Sequence, residues 1–221
     1  MIPISIVNGK YFIFDIDSVK RVRNDHLIIG TLSGTLSILP QQNILLGLPL
    51  QLTSEEALWL TEMGLGYLIF NLKSSGLNLE PKVAGDETRL NTVESSDSDR
   101  KLEIYQSESV QSELSADLRK IKDSVGYQTF KFFKSFQNGS RYAVLPGMRF
   151  GGKYLVYNGD PLRYHAQFIV QPLDYKKDDI GMINIVNNGR LSTGVKKLWV
   201  VAGEKEDGST ECFSVEWAGF G

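Results

Sequence analysis

Residues 74–117 hold a single aromatic side chain, Tyr105, and consist largely of Ser, Asp, Glu, Asn and Thr. A stretch such as Ser95-Ser96-Asp97-Ser98-Asp99 cannot bury enough apolar surface to offset the entropy lost on ordering it. It predicts an acidic, disordered linker at 74–117 that divides the 221 residues into a domain at 1–73 and a second at 118–221. Charge is divided in the same way. Residues 1–80 sum to −2, residues 86–117 to −6 and residues 127–221 to +3, so only the last part carries a positive field suited to a polyanion. That field is weak for a chain gripping nucleic acid alone. No apolar run approaches the ~18 residues that span a bilayer. One cysteine, Cys212, excludes an intrachain disulfide, and two histidines, His26 and His165, leave few ligands for a metal.

The first part reads as a small α/β domain. Strands are predicted at Tyr11–Ile16, His26–Gly30, Leu48–Leu52 and Tyr67–Phe70, with Pro49 demanding an edge or a bulge. Thr53 followed by Glu56 is a capping-box pattern that opens a helix through Ala57, Leu58, Leu60 and Met63. Asp15 and Asp17 are read as turn residues, and His26 as a half-buried residue without a role. The last part begins with an aromatic helix from Tyr127. Strands are expected at Tyr142–Leu145, Lys153–Tyr157, Arg163–Gln171, Lys197–Ala202 and Cys212–Trp217, with a glycine hinge at Gly151-Gly152 and a helix over 178–188. On the Arg163–Gln171 strand, Tyr164, Ala166, Phe168 and Val170 would share one face and Arg163, His165, Gln167 and Ile169 the other. Strands and helices mix without strict βαβ alternation, which favours a mixed sheet flanked by helices, an α/β fold of the α+β kind.

In the second domain, Tyr157 and His165 flank the dense turn Asn158-Gly159-Asp160-Pro161, and Lys196-Lys197 opens a later strand, where the two side chains would leave opposite faces. Imidazole can act as acid or base near neutrality, and an ammonium can stabilise charge developing on a phosphorane. Spacing alone is equally met by a solvated histidine, a packed tyrosine and a surface lysine pair. Arg149, Arg163 and Arg190 fit surface charge as well as RNA contacts.

Longer patterns decide further. Arg149 to His165 (RFGGKYLVYNGDPLRYH) resembles the catalytic segment of the tRNA-splicing endonucleases, and Gly189 to Lys197 (GRLSTGVKK) resembles that family's lysine motif. The closing Phe213 to Gly221 looks like the last strand of fungal catalytic subunits that cleave the 3′ splice site. Gly30 to Thr35, Gln41 to Asn43 and Glu55 to Leu60 are similar to their N-terminal domain. The likeness covers about 127–221 strongly and 11–70 moderately, and Asn158 stands where relatives often have proline.

The resemblance implies a mixed-sheet, nuclease-like catalytic domain at the C-terminus, with Tyr157, His165 and Lys197 as the catalytic set and no metal or cofactor. Arg149, Arg163 and Lys196 would contribute to RNA binding. The implied reaction is attack of a ribose 2′-hydroxyl on the adjacent phosphate, giving 2′,3′-cyclic phosphate and 5′-hydroxyl ends. In the family tyrosine is the base and histidine the acid; an ordinary tyrosine, with pKa ≈ 10, needs strong help for that task. The implied substrate is intron-containing pre-tRNA. The implied assembly is a heterotetramer with a second catalytic and two structural subunits, the strand at 212–217 pairing with a structural one. Relatives place such a complex in the nucleus or, in yeast, on the cytosolic face of the mitochondrial outer membrane. Sister subunits that cut the 5′ site, and non-catalytic RNA-binding or structural subunits, are the alternatives.

Overall fold

Ile2, Ile4 and Ile6 alternate with less buried neighbours, and that period of two makes the first residues a strand. In the computed structural model, which describes residues 1–34, 47–70, 117–135, 142–205 and 208–218, this strand is β1 (Ile2–Val7). It turns at Asn8-Gly9 into β2 (Lys10–Ile13). The predicted strand Tyr11–Ile16 is thus shorter. Asp15 accepts the Ser18 N–H at 2.7 Å and caps helix α1 (Ile16–His26), an element not anticipated from the sequence. His26 ends that helix instead of opening a strand. β3 (Thr31–Gly34) and β4 (Gly47–Leu52) follow, then α2 (Ser54–Glu62) and β5 (Gly66–Phe70). The expected capping box is present: Thr53 and Glu56 each accept the other's backbone N–H. The sheet order is β3-β4-β2-β1-β5, all pairs antiparallel except β1 and β5. β4 is internal, and Pro49 sits where its pairing with β3 slips between Leu32 and Gly34, a bulge and not an edge.

The linker expected at 74–117 lies, apart from its last residue, outside the described residues. Residues 117–122 are helical, and α3 (Val125–Ser135) follows. The second sheet comprises β6 (Ala143–Pro146), β7 (Tyr154–Tyr157), β8 (Ala166–Leu173), β9 (Leu198–Glu204) and β10 (Thr210–Val215), in the order β10-β9-β8-β7-β6. All neighbours are antiparallel except β8 and β9, which are parallel and joined across one face by α4 (Met182–Gly194). Both sheets are mixed, as the composition of strands and helices suggested.

The two sheets share one core. α2 packs on the first sheet, α3 on the second, and the helices touch each other between them. Tyr127, Phe130 and Phe133 of α3 are buried in the same cluster as Ile4, Leu50 and Trp59 on one side and Val156, Val170 and Val200 on the other. Full burial of a side chain such as Phe130 contributes about 1.5–3 kcal/mol. Polar ties reinforce the seam. Tyr154 Oη lies 3.1 Å from Glu55 Oε1 and 3.0 Å from the Gly126 carbonyl. Lys134, 1 % exposed, donates to the carbonyls of His26, Leu27 and Tyr142, closing the C-terminal end of α1. Burial pulls this ammonium down to about 8, against the pull of the Glu56 carboxylate.

Glu62, on α2, binds three partners from the second half: Tyr127 Oη at 2.6 Å, Lys122 Nζ at 2.8 Å and Lys131 Nζ at 3.3 Å. Burial alone would raise its pKa, but the hydrogen bonds from Lys122, Tyr127 and Lys131 outweigh it and hold the carboxyl at about 2. A carboxyl depressed by folding contributes stability above its unfolded value, and that contribution is lost as pH falls. Glu62→Gln should therefore lower stability at neutral pH and flatten the loss of stability between about pH 4.5 and 2. Denaturant titrations at several pH values check this; an unchanged acid limb would mean that Glu62 does not link the halves as described.

Candidate active site

The register of the second sheet sets the geometry. Tyr157 ends β7 and pairs with Ala166, the first residue of β8, so His165 stands one position before that partner. β8 and β9 are parallel, with Phe168 opposite Leu198, so Lys197 enters β9 at the end of the sheet where β8 begins. Tyr157, His165 and Lys197 thus stand at the same end of three adjacent strands, although 40 positions separate the first and last in the chain.

Each is held differently. Tyr157 is partly buried on the α4 face of the sheet, in a cluster with Phe150, Ile185 and Val195 around Leu155, Ala166 and Trp199. Burial pushes its phenol above the ordinary value. His165 is exposed, and it precedes the strand instead of lying within one. Residues 161–163 are a turn, so the expected alternation over 163–165 does not apply. Within β8 the pairing slips between Val156 and Tyr157, leaving Gln167 as an extra residue. That bulge puts Ala166 and Ile169 on one face and Phe168 and Val170 on the other, in place of strict alternation.

Lys196 and Lys197 do not leave opposite faces of a strand, because β9 begins at Leu198. They close α4 in a Schellman turn. The Lys197 N–H donates to the Ser192 carbonyl at 2.8 Å and the Lys196 N–H to the Thr193 carbonyl at 3.0 Å. Lys196 occupies the left-handed position, φ 54°, usually given to glycine, and its side chain is exposed. Lys197 is half-buried. Its Nζ donates to the Val195 carbonyl at 3.1 Å and lies 5.5 Å from the Phe150 ring centroid. Lys197 therefore lies on the Tyr157 side of the sheet, while Lys196 projects into solvent.

The remaining candidates border this arrangement. Arg149 is exposed on the short 3-10 turn Met148–Phe150, whose last residue carries the ring beneath Lys197. Arg163 is exposed in the turn before His165, and Arg190 lies 5.9 Å from the Trp217 ring on α4's outer side. The expected glycine hinge is a point of close packing: a Cβ on Gly152 would lie 2.9 Å from the Val170 carbonyl oxygen. Phe150 and Val195, which seat the lysine, were not singled out from the sequence, since an apolar residue beside a motif reads as core. Among the described residues no group of three or more His, Cys, Asp and Glu side chains comes together as a metal site.

Known proteins resemble this chain along nearly its whole length. Residues 2–70 match the TSEN34-like N-terminal domain, and residues 127–212 match the tRNA intron endonuclease catalytic C-terminal domain. The chain is 31% identical to the probable tRNA-splicing endonuclease subunit sen34 of Schizosaccharomyces pombe, over 99% of this chain and 98% of that protein. It is 32% identical to the tRNA-splicing endonuclease subunit SEN34 of Saccharomyces cerevisiae, over 95% and 98%. A tRNA-splicing endonuclease of Pyrobaculum aerophilum is 34% identical over 34% of this chain and 39% of its own length. With nearly end-to-end likeness to two fungal subunits and both family domains in order, the chain belongs to the Sen34 family of tRNA-splicing endonuclease subunits.

Proposed function

We propose that this chain is the catalytic subunit of a tRNA-splicing endonuclease that cuts pre-tRNA at the 3′ splice site. The observation that carries the reading is the meeting of Tyr157, His165 and Lys197 at one end of β7, β8 and β9. The ribose 2′-oxygen attacks phosphorus, a new P–O2′ bond forms and the P–O5′ bond breaks. One proton leaves the 2′-hydroxyl and one reaches the departing 5′-oxygen. We assign these two transfers to Tyr157 and His165. Burial raises the Tyr157 phenol above its ordinary value, which favours it as the donor to the 5′-oxygen and assigns the imidazole to the 2′-hydroxyl proton. The Lys197 ammonium stabilises charge on the phosphorane. Arg149, Arg163 and Lys196, all exposed around the set, fit contacts with RNA phosphates.

The 3′ assignment rests on the likeness of the closing segment Phe213–Gly221 to fungal subunits of that specificity. Assembly with a second catalytic and two structural subunits fits the weak charge of the chain, whose RNA surface would be shared. β10 is an edge strand with Phe213 51% exposed, which suits pairing with a structural subunit.

A pre-tRNA with one 2′-deoxyribose at the 3′ splice site should be cut by the assembled enzyme at the 5′ site only. Unmodified RNA should yield a 2′,3′-cyclic phosphate, and prefolded RNA should be cut at an undiminished rate in excess chelator. Cleavage at the deoxy position would sink the 2′-hydroxyl mechanism. A chemical step lost to chelation and restored by a transition metal would sink the ion-free one.

A further inference from the structure

The turn that joins Tyr157 to His165 is held from the other half of the molecule. Arg23, in the last turn of α1, places Nη2 3.0 Å from Asp160 Oδ1 and 3.3 Å from Oδ2. Asp160 Oδ1 also accepts the Leu162 N–H at 2.9 Å. The Asp160 carbonyl accepts the N–H groups of Arg163 at 2.8 Å and Tyr164 at 3.0 Å, the two residues directly before His165. The ion pair is mostly shielded, with side chains 32% and 27% exposed. The Leu162 N–H, and then Arg23 against the cost of burial, hold the Asp160 carboxyl below its ordinary value.

Two other side chains of this turn face solvent. Leu162 is 82% exposed and Tyr164 52% exposed. Gly159 has φ 123°, and a Cβ there would lie 2.7 Å from the Tyr164 ring, so the backbone folds tightly over that ring. Asp160 therefore anchors the segment between the strand carrying Tyr157 and the residue preceding β8 to the N-terminal half of the protein.

We infer that Arg23 is a positioning residue for cleavage, acting through Asp160 on the placement of His165 relative to Tyr157. The inference rests on the assignment of those two residues to the reaction. A guanidinium suits the role because it is always charged, and its Nη2 reaches both carboxylate oxygens in a charge-assisted contact that holds the carboxylate in place. A misplacement of about 1 Å can cost 10²-fold in rate, so an anchor on an otherwise open turn is felt at the reacting atoms.

The test uses the full chain in the assembled enzyme, with single-turnover cleavage of pre-tRNA and binding of the uncleavable 2′-deoxy RNA. Arg23→Gln should lower the cleavage rate about 10- to 100-fold and leave binding and its salt dependence unchanged. Asp160→Asn should do the same, and the double variant should fall no further than the worse single one. Arg23→Lys should recover part of the rate. A wild-type rate in Arg23→Gln, even with a lowered melting temperature, would reduce the pair to a structural tie and overturn the inference. Weaker binding with a shallower salt dependence would make Arg23 an RNA contact, and additive losses would show that it does not act through Asp160; either overturns it. His165→Ala is measured alongside. Cleavage surviving that change removes the site assignment and the inference together, whereas its loss beside an unaffected Arg23→Gln removes the inference alone.

Discussion

His165→Ala, in an otherwise intact complex, is expected to abolish cleavage at one splice site and leave the other cut. The chain brings one tyrosine, one histidine and one lysine to one sheet end, which on the proposed assignment makes a single active centre. Loss of an acid or base typically costs ~10²–10⁴ in rate. A pre-tRNA opened only at the 5′ site accumulates as the intron still joined to the 3′ exon, and a denaturing gel resolves it. Persistence of the 3′ cut with loss of the 5′ cut would make this chain the sister subunit. His165 is exposed and outside the core, so its replacement removes no buried packing and a loss of rate does not report on unfolding. A 5′-thio leaving group, which needs no protonation, separates the roles. It should rescue Tyr157→Phe and not His165→Ala if the phenol supplies the leaving-group proton.

The second large effect is expected at Lys197. Its ammonium rests between the Phe150 ring and the Val195 carbonyl, on the sheet face that carries Tyr157. Removing a donor of this kind costs on the order of 2–4 kcal/mol of transition-state stabilisation. Lys197→Ala should lower the single-turnover rate at saturating enzyme by a matching ~30- to 10³-fold. Lys196→Ala should leave the chemical step nearly intact, weakening RNA binding and its salt dependence at most. Lys196→Gly provides a second control, because it relieves the left-handed backbone at the helix end and should raise the melting temperature slightly. If Lys196→Ala lost the chemistry and Lys197→Ala kept it, the two roles would be exchanged.

Much of this site was legible because its chemistry sits in contiguous runs. Tyr157 and His165 flank one turn and the lysines close one short run, so the contiguous motifs that carry the family resemblance contain all three candidates. What the sequence concealed was set by neighbours in space. The Asp15 cap looks like any turn aspartate, and α1 is so polar, with Lys20, Arg21, Arg23, Asn24 and Asp25, that its narrow buried face at Ser18 and Val22 carried no helical signal. The separation of Lys196 from Lys197 was expected from strand alternation and arises instead from a helix cap, whose defining hydrogen bonds run back to Ser192 and Thr193. Arg23 and Asp160 lie 137 positions apart, and nothing local marks them as partners. The Thr53–Glu56 box was found because both halves of that interaction fall within one helical turn.

The aromatic rows of α3 have a consequence for how this chain can be taken apart. Tyr127, Phe130 and Phe133 belong by sequence to the catalytic half and by packing to both sheets at once. Glu55 and Glu62 of α2, and Arg23 of α1, take their partners from beyond residue 117. Cutting the covalent chain between residues 70 and 117 would therefore not by itself take the molecule apart. Two fragments made separately would find each other through that apolar seam, whereas the catalytic half produced alone would present α3's rings to water and leave the turn before His165 without its arginine. On the proposed assignment, nuclease competence becomes a property of the joined halves, and the N-terminal half serves the active enzyme although it holds none of the assigned residues.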